Sequence, residues 1–164
     1  MSVAVTAHIG LGANLGDAQA TLRAVLPALD TLPQTRLLAA SRLYHTPAWG
    51  RLDQPAFVNA AAAISTTLTA EALLDALLAL ERSHGRERIA GERWGPRTLD
   101  LDVLLFGDQV IDTPRLQVPH PHLHERAFAL LPLAEIAADA VIAGHGTVQA
   151  ALAKLDTGGL VPIG

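Results

Sequence analysis

Two amphipathic helical stripes, each set between stretches of strand periodicity, constrain this chain more than any other feature. The first stripe is Leu22, Val25, Leu26 and Leu29, spaced i, i+3, i+4 and i+7 on one helix face. Asp17 stands where that helix would start, Pro27 should kink or shorten it, and Pro33 follows its end. The second stripe is Leu73, Leu74, Leu77, Leu78 and Leu80, read as a buried face. Thr69 is its N-cap, Glu71 lies in the first turn where the helix dipole favours an acid, and Gly85 is the stop. Strands are expected over 3–9, 36–44, 57–67 and 99–106, from β-branched residues and alternation. Between them lie a glycine-rich turn at 10–16, a loop at 45–55 and a long polar loop at 83–97. Gly107-Asp108 signals a hairpin into Val110-Ile111, residues 114–121 read as extended and irregular, and helices are expected over 125–138 and near 148–155. The order β-α-β-β-α-β, with an added hairpin and helices, predicts an α+β sandwich of ferredoxin-like topology built on a mainly antiparallel sheet. That architecture hosts many activities, so function has to come from particular residues.

A length of 164 residues predicts one domain, 1–164, able to bury roughly 70% of its unfolded surface. No apolar run approaches the ~20 residues that span a bilayer, and Met1 to Val5 carries no basic leader, so a cytoplasmic protein without membrane contact is expected. Cysteine is absent, which removes disulfides, thiolate zinc sites and a cysteine nucleophile. A net charge of −4 argues against general nucleic-acid binding. The distribution of charge says more. Of the twelve basic residues only Lys154 is lysine, and Arg82, Arg86, Arg88, Arg93 and Arg97 fall in one short segment. The guanidinium fork matches phosphate oxygens in a way an ammonium does not, so an acidic chain with one dense Arg segment points to a local anion site.

Asp100 and Asp102 are two residues apart on an expected strand, so both project to one face while Leu99, Leu101 and Val103 take the other. Paired carboxylates repel, and a hard divalent cation such as Mg2+, taking one or two carboxylates plus phosphates and water, offsets that cost. Asp-x-Asp alone is weak; its position directly after the Arg-rich loop carries the metal reading. Glu81 stands in line with Leu74, Leu77 and Leu78; pairing with an Arg, accepting from a nucleotide hydroxyl and a plain surface charge all remain open for it. Gly10 to Gly16 is not a dinucleotide fingerprint, because position 15 is Leu, and no P-loop motif occurs. His120, His122 and His124 alternate, but Pro119 and Pro121 interrupt any strand and no cysteine supports zinc, so a single His serving as a phosphate contact or donor is the better reading. No serine sits in a nucleophile elbow. An RNA-binding module would need exposed aromatics and a basic face; a regulatory module would not need the Asp pair; a phosphohydrolase would need a positioned water, and His120 is the one candidate base for it.

The chain resembles the 6-hydroxymethyl-7,8-dihydropterin pyrophosphokinase family of folate biosynthesis nearly end to end. The resemblance rests on Gly12-Ala13-Asn14-Leu15-Gly16, Ser41 to Pro47, Asp53 to Ala61, Glu81 to Arg86, Arg93 to Phe106, Pro119-His120 and Arg126-Ala127-Phe128. The Arg97-Thr98-Leu99-Asp100-Leu101-Asp102 piece is the most specific. The resemblance implies Mg2+-dependent transfer of pyrophosphate from ATP to the pterin, with AMP as the other product. It implies that Asp100 and Asp102 hold two Mg2+ ions and that Arg86, Arg88 and Arg97 contact phosphates, with Arg86 and Arg97 catalytic. Arg93 and Trp94 would belong to a loop closing over the substrates, Trp94 on the ATP side. His120 and Arg126 would face the nucleotide and Glu81 its sugar. The pterin would stack between Phe57 and Phe128, with Thr46, Pro47, Trp49 and Asn59 around it. A monomer with ATP and a pterin as its partners is expected. Ala13, Ala48, Leu78 and Pro121 depart from the usual pattern, and none of them is a metal or pterin ligand.

Overall fold

The computed structural model describes residues 3–14, 17–46, 57–84 and 99–163. Strand β1 (Val5–Ala13) leads to helix α1 (Ala18–Ala28), which runs into a 3-10 turn at Leu29–Thr31. Strands β2 (Thr35–Ala40), β3 (Leu43–Thr46) and β4 (Phe57–Thr66) follow, then α2 (Ala70–Ser83) and β5 (Asp100–Phe106). Two short strands, β6 (Ile111–Asp112) and β7 (Gln117–Val118), precede α3 (Ala127–Ala137). The tail carries β8 (Val141–Ile142), β9 (Gly146–Thr147), α4 (Val148–Leu152) and β10 (Val161–Ile163). The main sheet runs β10-β3-β4-β1-β5, with β2 also paired to β4 and every pairing antiparallel. This is the expected α+β, ferredoxin-like arrangement.

The helix starts are local chemistry. Asp17 Oδ1 accepts from Ala20 N and Thr69 Oγ1 from Ala72 N, each satisfying an amide that the first turn leaves open. Pro27 lies one residue from the end of α1, which shortens the helix there. Helices α1 and α2 cover one face of the sheet, where Leu22, Val25, Leu73 and Leu77 pack on Ile9, Leu11 and Leu101. Helices α3 and α4 cover the other, around Leu104, Leu105, Leu130, Leu133 and Val148. The β1–β5 register shifts beside His8 and Ile9, so two successive residues, Leu104 and Leu105, reach the second core.

Four expectations are corrected. Gly10, Gly12 and Ala13 are not in a turn; they continue β1, because both edges of this strand pair, with β4 and with β5. The single strand expected over 36–44 is two, both laid against β4. Ser41 sits at the break and replaces a ladder bond with its side chain: its N–H donates to Ala61 O, and its Oγ accepts from Ala61 N. The Gly107-Asp108 turn exists, with Gly107 at φ +57°, but the chain beyond it pairs with β7 and not with β5. Leu74 and Leu78 are only half-buried, while Leu73 and Leu77 hold the core. The C-terminal strand β10, which extends the sheet beside β3, carries no clear sequence signal.

Candidate active site

The face of the sheet under α3 carries the site. Cross-strand pairing sets Tyr44 opposite Asn59, Asn59 opposite Gly12, and Gly12 opposite Asp100, one row across four strands. The next row holds Ala61, Gly10 and Asp102. With strands ~4.8 Å apart, the Asn59 and Asp100 backbones stand about 10 Å apart with only a glycine between them. Alternation along β5 does what the sequence predicts: Leu101 and Val103 are buried in the α1/α2 core, and Asp100 and Asp102 are half-buried on the α3 side.

Glu81, 3% exposed near the end of α2, accepts the Leu101 N–H on Oε2 at 2.7 Å. One carboxylate oxygen therefore holds the backbone of the residue between the two aspartates. Beside β5, Leu74, Leu78 and Glu81 of α2 face Thr113, Arg115 and His120 across a cavity of about 520 Å³ that reaches Asp100 and Asp102. The 113–117 wall was missed in the sequence, where it reads as irregular chain. Arg115 fixes it to α2 by ion pairs to Glu71 at 3.1 Å and Asp75 at 2.5 Å.

His120 is placed by its own backbone, whose N–H donates to Leu104 O at 3.1 Å. Its Nδ1 accepts from His122 N at 3.2 Å, so the neutral ring carries its proton on Nε2. Burial, with help from nearby Arg126 and His122 and against the pull of Asp100, lowers its pKa to about 4. The imidazole is thus a neutral donor at physiological pH. Between pH 6.5 and about 4 the unfolded chain takes up this proton and the folded chain resists it, so stability falls as pH is lowered through that window. His120→Asn is expected to flatten this limb of a curve of unfolding free energy against pH by less than about 3 kcal/mol, the ring being partly solvated. Parallel curves for the two proteins would contradict the assignment. His122 and His124 turn elsewhere, to the Glu125 carboxylate, and His124 stacks on His145 with centroids 3.7 Å apart.

At the other end of the row, Thr46 is 3% and Asn59 9% exposed. Thr46 Oγ1 and Asn59 Oδ1 are buried and have no hydrogen-bond partner among the described residues. Asn59 Nδ2 donates to Leu11 O at 3.4 Å, which leaves the amide oxygen as the open acceptor. Such groups cost free energy unless something supplies the missing partner. Phe57 pairs with Thr46 and shares this face. Phe128 lies in the first turn of α3, with the Arg126 guanidinium 5.7 Å from its ring centroid. Glu135 anchors α3 to β3: its carboxylate accepts from Arg42 N at 2.6 Å, Arg42 Nε at 2.8 Å and Tyr44 OH at 2.7 Å. Burial works to raise the Glu135 pKa, but these hydrogen bonds outweigh it and hold the carboxyl below its ordinary value. The expected site residues Pro47, Trp49, Arg86, Arg88, Trp94 and Arg97 lie outside the described residues.

Oxygen donors from two carboxylates suit a hard cation that takes its remaining ligands from phosphate and water. Among the described residues no group of three or more His, Asp or Glu side chains forms a self-sufficient metal cage. Asp100 and Asp102 fit a hard cation such as Mg2+ that draws its other ligands from phosphate and water.

Fold and site together define a ferredoxin-like enzyme domain with a polar row across one sheet face. Residues 8–138 match the model of the 7,8-dihydro-6-hydroxymethylpterin-pyrophosphokinase (HPPK) family. A 2-amino-4-hydroxy-6-hydroxymethyldihydropteridine pyrophosphokinase of Pseudomonas aeruginosa is 52% identical over 132 residues, covering 80% of each chain. That of Methylorubrum extorquens is 48% identical over 154 residues, covering 94% of this chain and 96% of its own. The chain belongs to the HPPK family and is a pyrophosphokinase of folate biosynthesis. In fold it is similar to a bifunctional HPPK-DHPS crystallised with substrates, at TM-score 0.71 and 12% identity, covering 93% of this chain and 43% of that one. The Plasmodium falciparum HPPK-DHPS with pteroate gives TM-score 0.71 at 14% identity, again with this chain spanning 43% of the longer protein. Among the described residues no helix is long and apolar enough to cross a membrane.

Proposed function

We propose that this enzyme transfers the pyrophosphoryl group of ATP to the hydroxymethyl oxygen of 6-hydroxymethyl-7,8-dihydropterin, with Mg2+ at Asp100 and Asp102. The observation that carries the reading is the single row Asn59, Gly12, Asp100, with an amide oxygen that has no partner among the described residues at one end and the first of the two aspartates at the other. A pterin is a flat heterocycle with an edge of alternating donors and acceptors. Asn59 Oδ1 and Thr46 Oγ1 would take that edge, and Phe57 and Phe128 would stack on its faces.

The cavity between α2 and the 113–121 segment would receive the nucleotide. Leu74 and Leu78 form its apolar wall. His120 would donate Nε2–H to a phosphate oxygen, and Arg126 would add positive charge. Arg86, Arg88 and Arg97 would neutralise the polyphosphate, and Trp94 would close over it. Bound Mg2+, as two ions, would supply charge neutralisation and alignment of the phosphates. The pterin hydroxymethyl oxygen attacks the β-phosphorus, the bond from that phosphorus to the α,β-bridging oxygen breaks, AMP leaves, and the hydroxyl proton passes to solvent. The protein's share is positioning and charge placement, as phosphoryl transfer requires.

The reading is tested by following ATP consumption. ATP should be consumed only when Mg2+ and the hydroxymethyl pterin are both present. EDTA should stop the reaction, and a 6-methylpterin, which lacks the attacking oxygen, should not support it. Consumption with the 6-methyl compound at the same rate would refute the acceptor assignment.

A further inference from the structure

Gly12 occupies the centre of the polar row, between Asn59 and Asp100. Its backbone does not require glycine: the glycines at positive φ are Gly107, Gly144 and Gly146 among the described residues. What it requires is space. A Cβ at position 12 would stand 2.8 Å from Asn59 Nδ2, whereas the nearest backbone atom, Val58 O, would be 3.9 Å away. Any side chain here therefore displaces the end of the Asn59 side chain and leaves the strand ladder intact. Gly10 differs, because the nearest atoms a Cβ there would meet belong to the Leu104 side chain, at 3.3 Å.

The Asn59 amide lies in the space that Gly12 leaves open. From that seat Nδ2 reaches Leu11 O, and Oδ1 is held as a buried acceptor without a partner among the described residues. We propose that Gly12 is a positioning residue for the pterin: its missing side chain seats the Asn59 amide and fixes which of its two ends meets the ligand. The inference rests on the reading of Asn59 as a pterin contact. It explains why a glycine stands in the interior of a central strand, where it costs conformational entropy and packing.

The test is a titration of wild type, Gly12→Ala, Asn59→Ala and the double variant with 6-hydroxymethylpterin by calorimetry. Mg2+ and a non-hydrolysable ATP analogue are held at saturation, and thermal unfolding is recorded on the same proteins. Gly12→Ala should weaken pterin binding about tenfold or more, with Tm within about 3 °C of wild type and affinity for the analogue unchanged. In the Asn59→Ala background, adding Gly12→Ala should change pterin binding no further, since the two act through one group. Wild-type pterin affinity in Gly12→Ala would overturn the inference and leave the proposed function standing. So would an undiminished effect in the Asn59→Ala background, or equal losses of pterin and analogue binding. A wild-type protein that binds the analogue but no pterin would overturn the proposed function, and the inference with it.

Discussion

Replacing Asp102 with alanine is expected to cut turnover by on the order of 10³-fold while the protein stays folded. The two halves of that result have separate causes. Asp102 projects from β5 away from the Leu101 and Val103 core, so truncating it removes no core packing. Asp100 and Asp102 are the two carboxylates that β5 turns to the cavity, and losing one halves the charge that would hold a cation against the phosphates. The check is kcat at saturating ATP and pterin, with far-UV circular dichroism and Tm on the same sample. Near-wild-type turnover would remove the metal assignment; loss of the fold would show that the strand depends on this side chain.

Asn59→Ala should likewise cost function while leaving stability nearly unchanged. The free protein keeps a buried amide oxygen without a hydrogen-bond partner among the described residues, and its Nδ2 bond to Leu11 O is long at 3.4 Å. Removing the side chain relieves an unsatisfied acceptor and gives up a weak bond, so stability should stay within about 1 kcal/mol of wild type. Pterin binding, by contrast, should weaken about 10- to 100-fold, the cost of leaving a ligand donor unpaired. Thr46→Val should behave alike, since it exchanges a buried hydroxyl without a partner among the described residues for a methyl of similar size. A pterin KM unchanged in both variants would show that these polar atoms serve something else.

Local chemistry made much of this fold legible before any coordinates. The caps at Asp17 and Thr69, the stripes of α1 and α2 and the alternation of Leu and Asp along β5 follow from neighbours a few residues away. What failed depends on distant partners. Nothing near Ser41 says that its hydroxyl will stand in for a backbone bond to Ala61, twenty residues on. Gly10 and Gly12 read as a turn because glycine usually marks one; they are strand residues because Leu104 and Asn59 come close against them. The Gly107-Asp108 turn is real, but the partner of β6 is set by the return of the chain at Gln117 and Val118. The candidate site divides the same way. Asp100, Asp102 and His120 stood out by charge and spacing, whereas Thr46 and Asn59 came only with the resemblance, which does not reveal that Thr46 Oγ1 and Asn59 Oδ1 are buried without partners among the described residues. Glu81 lines the cavity, but its bond to the Leu101 amide, which braces the Asp strand, depends on the packing of α2 against β5 and could not be read from its neighbours.

The proposed transfer is defined by where the phosphate chain of ATP is cut, and the nucleotide product reports that directly. Chromatography of a reaction with ATP, Mg2+ and 6-hydroxymethyl-7,8-dihydropterin should show AMP rising in step with a pterin carrying two phosphates, and no ADP. Accumulation of ADP, with a monophosphorylated pterin or free phosphate, would contradict it.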